Sequence, residues 1–166
     1  MPKAPLPLRE ILEIIERDGK ATPAQIAQLT GVSRAKITAL IAELEQSGVI
    51  RKYKGVINWD KAGIERVFAF IEVKISPERG VGFDAVARRL YRFDEVHSVY
   101  LMSGAYDLQV VVEGANMKEV AYFVAEKLAP LEHVVSTATH FVLKPYKIDG
   151  NILESEEEPE RLSVTP

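Results

Sequence analysis

The chain has 166 residues, 47% of them hydrophobic, a formal net charge of −3 and no cysteine. That length and apolar content suit one medium domain or two small ones with a true core, and the lack of cysteine removes disulfides, thiolate metal sites and cysteine nucleophiles. No apolar run approaches the roughly 18 residues of a membrane span, and Met1–Pro7 has no hydrophobic signal core, so a cytoplasmic protein without membrane attachment is expected.

Leu8, Ile11, Leu12 and Ile15 form the first helical stripe, which Asp18-Gly19 ends. At Thr22-Pro23 a hydroxyl suited to capping precedes a proline suited to a first helical position, so a second helix starts there and runs through Ile26 and Leu29. Thr30-Gly31-Val32 is the tight turn after it, where glycine permits a positive φ. Ser33 is the expected cap of a third helix, in which Ile37, Leu40, Ile41 and Leu44 make a buried stripe and Gly48 closes the end. The face left over carries Arg34, Ala35, Thr38, Ala39 and Ala42, with Lys36 to one side. In a helix-turn-helix the first turn of that face touches base edges in the major groove. Val49–Ile57 reads as a strand, a wing whose Arg51, Lys52 and Lys54 suit phosphates rather than bases. Asn58–Gly63 then breaks the pattern as a connector.

From Arg66 the period changes. Arg66–Ile75 alternates as a strand, Gly82–Phe93 has Phe83, Val86, Ala87 and Leu90 at helical spacing, and Val96–Met102 is a second strand. After a turn at Ser103-Gly104-Ala105, Tyr106–Glu113 is a third strand. Asn116 caps a helix to Leu128 with Met117, Val120, Ala121 and Val124 inward, and Val134–Lys144 is a fourth strand. The fold class is therefore α+β: a winged helix-turn-helix followed by a ferredoxin-like βαββαβ domain. The expected divisions are 1–57 for DNA binding, 58–65 as linker, 66–148 for effector binding and oligomerisation, and 149–166 as an acidic, solvated tail.

Charge follows these divisions. Lys plus Arg against Asp plus Glu is 10 to 7 over residues 1–62, 10 to 11 over 63–148 and 1 to 6 over 149–166. The positive excess sits on the part expected to meet DNA, and the run Glu154–Glu160 lacks apolar periodicity, which predicts disorder. In the sheet domain both helices cover one face, yet the other face still offers Phe68 and Phe70, joined by Val111 and Val142. Aromatic rings on a nominally wet face predict a partner surface, and a homodimer that pairs two identical sheets is the economical answer.

Ser33–Ile50, with its Leu44-Glu45-Gln46-Ser47-Gly48-Val49-Ile50 ending, and the later Gly104-Ala105-Tyr106-Asp107 turn resemble the Lrp/AsnC transcriptional regulators, also called feast/famine regulators. The resemblance covers about residues 8–148. It implies a cytoplasmic protein that binds double-stranded DNA and whose C-terminal domain dimerises, often assembles into octamers and commonly binds an amino acid between dimers. The implied function is sequence-specific regulation of transcription, connected with amino-acid metabolism, without catalysis. Family members often carry arginines midway along the recognition helix, where this chain has Ala39, Leu40 and Glu43. The DNA-contact set is accordingly Thr22, Ser33, Arg34, Ala35, Lys36, Thr38, Arg51, Lys52 and Lys54. By motif, the effector set is Ser103, Gly104, Ala105, Tyr106 and Asp107, with Ser136, Thr137 and Thr139 as neighbours. Backbone N–H groups at a glycine turn suit a carboxylate, and Asp107 with nearby hydroxyls suits an α-amino group.

His97, His133 and His140 are far apart in sequence and lack ligand spacing, so no metal and no cofactor is expected. Ser76–Gly82 has glycines without the spacing or lysine of a phosphate loop and reads as a connection. Two alternatives use the same frame. One is a haem-pathway decarboxylase-like enzyme, which would bind a tetrapyrrole near His97 or His140. The other is an architectural protein that binds DNA without sequence preference.

Overall fold

The computed structural model describes residues 7–76 and 82–153. The chain divides into two compact units, 1–57 and 58–166. The acidic run Glu154–Glu160 and residues 77–81 of the expected connection lie outside the described residues.

The first unit is three helices, α1 (Leu8–Arg17), α2 (Pro23–Thr30) and α3 (Arg34–Gln46). Ile11, Ile15, Ile26 and Ile37 form its core, with Leu40, Ile41 and Ile50 packed against them. Helix α2 begins in a reciprocal capping box: the Gln25 amide donates to the Thr22 hydroxyl oxygen at 3.3 Å, and the Thr22 amide donates to Gln25 Oε1 at 2.8 Å. Gly31 follows at φ 69°, a left-handed conformation that a Cβ would strain, and this sets the turn into α3. Ser33 stands at the N-cap of α3, but its side chain makes no capping bond.

The strand expected over Val49–Ile57 does not form; Arg51–Ile57 has neither helical nor strand structure. A strand exists only through a ladder, and the described residues of this unit supply no second strand to pair with. Ile50 instead donates its amide to the Leu44 carbonyl at 3.0 Å and packs on the helices. The segment thus begins as the closing turn of α3.

The second unit has the order β1 (Val67–Ile75), α4 (Phe83–Leu90), β2 (Val96–Leu101), β3 (Leu108–Gly114), α5 (Met117–Phe123) and β4 (Val134–Phe141). The strands form one antiparallel sheet in the order β2-β3-β1-β4, the arrangement expected of βαββαβ. Ala69, Ile71, Val73 and Ile75 of β1 face Val86 and Leu90 of α4 and Val120 and Phe123 of α5 in one core. Phe93 and Phe123 meet edge to face at 5.5 Å.

Helix α5 departs from the expected stripe. Val120 and Phe123 are buried, whereas Met117 is half exposed and Ala121 lies outside. Val124, expected inward, packs partly buried against the core, and the π-helical turn at Val124–Leu128 brings Leu128 in fully buried. The connector is also more ordered than expected. Asn58–Gly63 folds into a turn closed by Ala62 N–H to Asn58 O at 3.2 Å, and the Trp59 ring lies 3.8 Å from the Arg66 guanidinium. Residues Lys147–Ile148 (β5) pair with Asn151–Ile152 (β6), and Asn58 Nδ2 donates to the Leu153 carbonyl at 2.9 Å. Asp149–Leu153 therefore belongs to a hairpin, not to an unstructured tail, because Asp149 and Gly150 adopt the positive φ of a two-residue turn.

Candidate functional site

Helix α3 buries Ile37 and Leu44 and half buries Leu40 and Ile41, and that stripe orients the rest. Ser33, Arg34, Ala35, Lys36 and Thr38 are all exposed and lie together at its first turn and N-cap. Thr38 donates its hydroxyl to the Arg34 carbonyl at 3.0 Å, which leaves its oxygen lone pairs as acceptors on this surface. Thr22 is engaged in the capping box, so it fixes the start of α2 with the same hydroxyl that was expected to touch DNA.

The basic residues after α3 do not behave alike. Arg51 folds back over the end of the helix: a Cβ added at Gly48 would lie 3.1 Å from Arg51 Nη1. A cation there complements the negative end of the helix dipole. Lys52 and Lys54 are exposed. Between them Tyr53 donates its hydroxyl to Glu45 Oε1 at 2.9 Å. Burial and the Glu45 carboxylate raise the Tyr53 pKa above its ordinary value, so the phenol stays protonated and donating at neutral pH. Neither Tyr53 nor Glu45 stands out in the sequence, since their link spans a chain reversal.

The effector set divides. Asp107 sits at the entry to β3, where its Oδ2 accepts from the Ile75 amide at 2.8 Å and its Oδ1 lies 3.4 Å from Lys74 Nζ. Its carboxylate thereby holds the end of β1, where the pairing with β4 shifts register. Ser103, Gly104 and Ala105 are exposed, and Tyr106 donates to Gln109 Oε1 at 3.3 Å. On β4, Ser136 pairs with Lys74 on the face away from the helices, but Thr137 and Thr139 pair with Val73 and Ile71 on the helix-covered side. The register thus places Ser136 beside Lys74, the residue that Asp107 meets, and sends the two threonines to the other face. The strand period of two carried that signal.

The face away from the helices carries Phe68, Phe70 and Tyr100, with Phe70 flanked across the strands by Val111 and His140. Phe70 is 41% exposed and Tyr100 54%. His97 meets Phe68 edge to face, and His140 Nε2 lies 3.6 Å from Glu72. Among the described residues no group of three or more His, Asp or Glu has the geometry to hold a metal, and no helix is long and apolar enough to cross a membrane. A cleft between β3 and α5 is lined by Glu95, Glu113, Glu119 and Glu126 and shares no residue with the Ser103–Asp107 turn. Three of those carboxylates are engaged within the protein, Glu95 by Lys127, Glu113 by Arg66 and Glu119 by the Ala115 amide. The hydrogen bond from Lys127 holds Glu95 below the usual carboxylate range.

Residues 8–51 match the winged helix-turn-helix DNA-binding family, and residues 68–152 match the Lrp/AsnC ligand binding domain. The chain is 49% identical to the uncharacterized HTH-type transcriptional regulator YugG of Bacillus subtilis (strain 168), over 95% of each chain. It is 32% identical to the HTH-type transcriptional regulator FL11 of Pyrococcus furiosus, covering 84% of this chain and 89% of the relative. The fold is shared with a transcriptional regulator of Neisseria meningitidis solved with L-Met, at a TM-score of 0.66 and 22% identity over 84% of this chain and 89% of that one. With a DNA-binding helix pair and a ligand-binding sheet domain matched in this order, the chain belongs to the Lrp/AsnC family of transcriptional regulators.

Proposed function

We propose that this regulator reads DNA with the first turn of α3, works as a homodimer built on the open sheet face, and is tuned by an amino acid held near the Ser103–Asp107 turn. The observation that carries the reading is the α2–Gly31–α3 pair, which buries Ile37 and Leu44 and leaves Ser33, Arg34, Ala35, Lys36 and Thr38 on one exposed surface. Lys52 and Lys54, with Arg51 beside them, then face phosphates. An amino-acid effector is favoured by the exposed glycine turn and by the L-Met bound to the Neisseria relative. Asp107 is held to Ile75, so the ligand's carboxylate is taken by turn amides and its amine by Ser136 and neighbouring oxygens, completed by a second copy. The octameric state follows from dimers meeting at that turn. The protein acts in the cytoplasm and without catalysis, a reading supported by the regulator names of its relatives.

The test is fluorescence anisotropy on the DNA upstream of its own gene and on a scrambled duplex, each over a salt series. Arg34→Ala is expected to weaken specific binding by about 1–3 kcal/mol and to leave scrambled DNA nearly unaffected. Equal losses on both duplexes would reassign Arg34 to a phosphate. Light scattering over a panel of amino acids tests the effector, and an assembly state indifferent to all of them would remove that part of the proposal.

A further inference from the structure

The absent wing strand leaves a physical question, because Lys52 and Lys54 follow a helix end and have no ladder to hold them. Three contacts take the place of a ladder. Ile50 packs on the helical core, Arg51 folds over Gly48, and Tyr53 reaches back to two separate elements. A side chain placed on Gly19, in the turn between α1 and α2, would meet the Tyr53 ring at 3.7 Å and the Lys54 carbonyl at 3.9 Å. The Tyr53 hydroxyl donates to Glu45 at 2.9 Å. Residues 51–54 are all exposed, and the contacts of Arg51 and Tyr53 fall on alternate positions beside Lys52 and Lys54.

Glu45 has a second peculiarity. It is a carboxylate in the last turn of a helix, where the dipole disfavours negative charge, and it stands on the element expected to approach phosphates. Its hydrogen bond with Tyr53 gives that placement a purpose.

We infer that Tyr53 is a positioning residue for DNA binding: with Glu45 as acceptor and Gly19 as platform, it holds the Lys52–Lys54 segment in place for phosphate contact. This rests on the DNA-binding reading and adds to it a residue that touches no DNA itself. Ordering the segment beforehand removes a conformational cost that would otherwise fall on the binding step. In this unit the pinned tyrosine does what strand pairing does in a true wing.

The experiment is anisotropy of the full chain on a labelled random duplex at fixed salt, where phosphate contacts dominate. Tyr53→Phe is expected to weaken binding about three- to tenfold, the scale of one hydrogen bond, with the thermal melt unchanged. Glu45→Gln keeps an oxygen acceptor and Glu45→Ala does not, so the alanine variant should bind more weakly than the glutamine variant by the same factor. In a Lys52→Ala, Lys54→Ala background, Tyr53→Phe should have no further effect. A Tyr53→Phe protein that binds as the parent does, or an equal loss in the background without the lysines, would overturn the inference while leaving DNA binding intact. A parent chain that binds no duplex would overturn both.

Discussion

Ile37→Ala is expected to unfold the DNA-binding unit near physiological temperature and to abolish DNA binding at every salt concentration. Ile37 is 0% exposed, and among the described residues it is one of the four that form the buried cluster of the three helices. Removing its branched chain leaves a cavity that the short helices cannot fill without moving α3, and such a change costs about 2–5 kcal/mol. Small domains have roughly 5–15 kcal/mol in total, and a unit with so small a buried cluster and no disulfide is expected at the lower end. Circular dichroism should show the helical signal melting at a lower temperature, while the sheet unit keeps its own transition. An unshifted helical melt would mean that the unit draws its stability from elsewhere.

In the proposed sheet-to-sheet homodimer, Phe70→Glu should separate the protomers. Phe70 lies in the middle of the open face, with Val111 and His140 as cross-strand neighbours and Glu72 two residues on. If two sheets cover one another here, the new carboxylate is taken from water, a change that costs several kcal/mol for an unpaired charge. Sedimentation at micromolar concentration should then report a monomer with an unchanged far-ultraviolet spectrum. DNA affinity should fall by a factor on the order of 10²–10⁴, because a dimer engages two half-sites as one ligand. A Phe70→Glu protein that still sediments as the parent does would overturn the proposed pairing of open sheet faces.

Local chemistry explains why much of this was legible in the chain. Thr22, Pro23 and Gln25 carry a helix start within four residues, Gly31 carries the turn, and the isoleucine and leucine stripes reveal the core faces at a period of 3.6. The alternation of Ala69, Ile71 and Val73 with Phe68 and Phe70 likewise separates a covered face from an open one before any coordinate is known. The Lrp/AsnC resemblance rested on motifs of the same short range.

The misreadings all concern partners that are distant along the chain. Val49–Ile57 has strand composition, yet composition does not state whether a second strand exists. Met117 and Ala121 fit an ideal helical stripe, but packing on the sheet turns Val120 and Phe123 inward and leaves those two exposed. The amide of Ile75, 32 residues away, from which the Asp107 carboxylate accepts a hydrogen bond, is likewise a partner that no local signal names.

By itself the sequence determined the helix-turn-helix, the βαββαβ order, the two cores and the family, because caps, turns and hydrophobic periods act over a few residues. The tertiary structure alone decided that the wing is a pinned segment, that Asp107 holds a strand end, that Ser136 parts from Thr137 and Thr139, and that Tyr53 meets Glu45. Each of those depends on register or on closing a long loop, and no local propensity encodes which distant group will be there to accept a hydrogen bond.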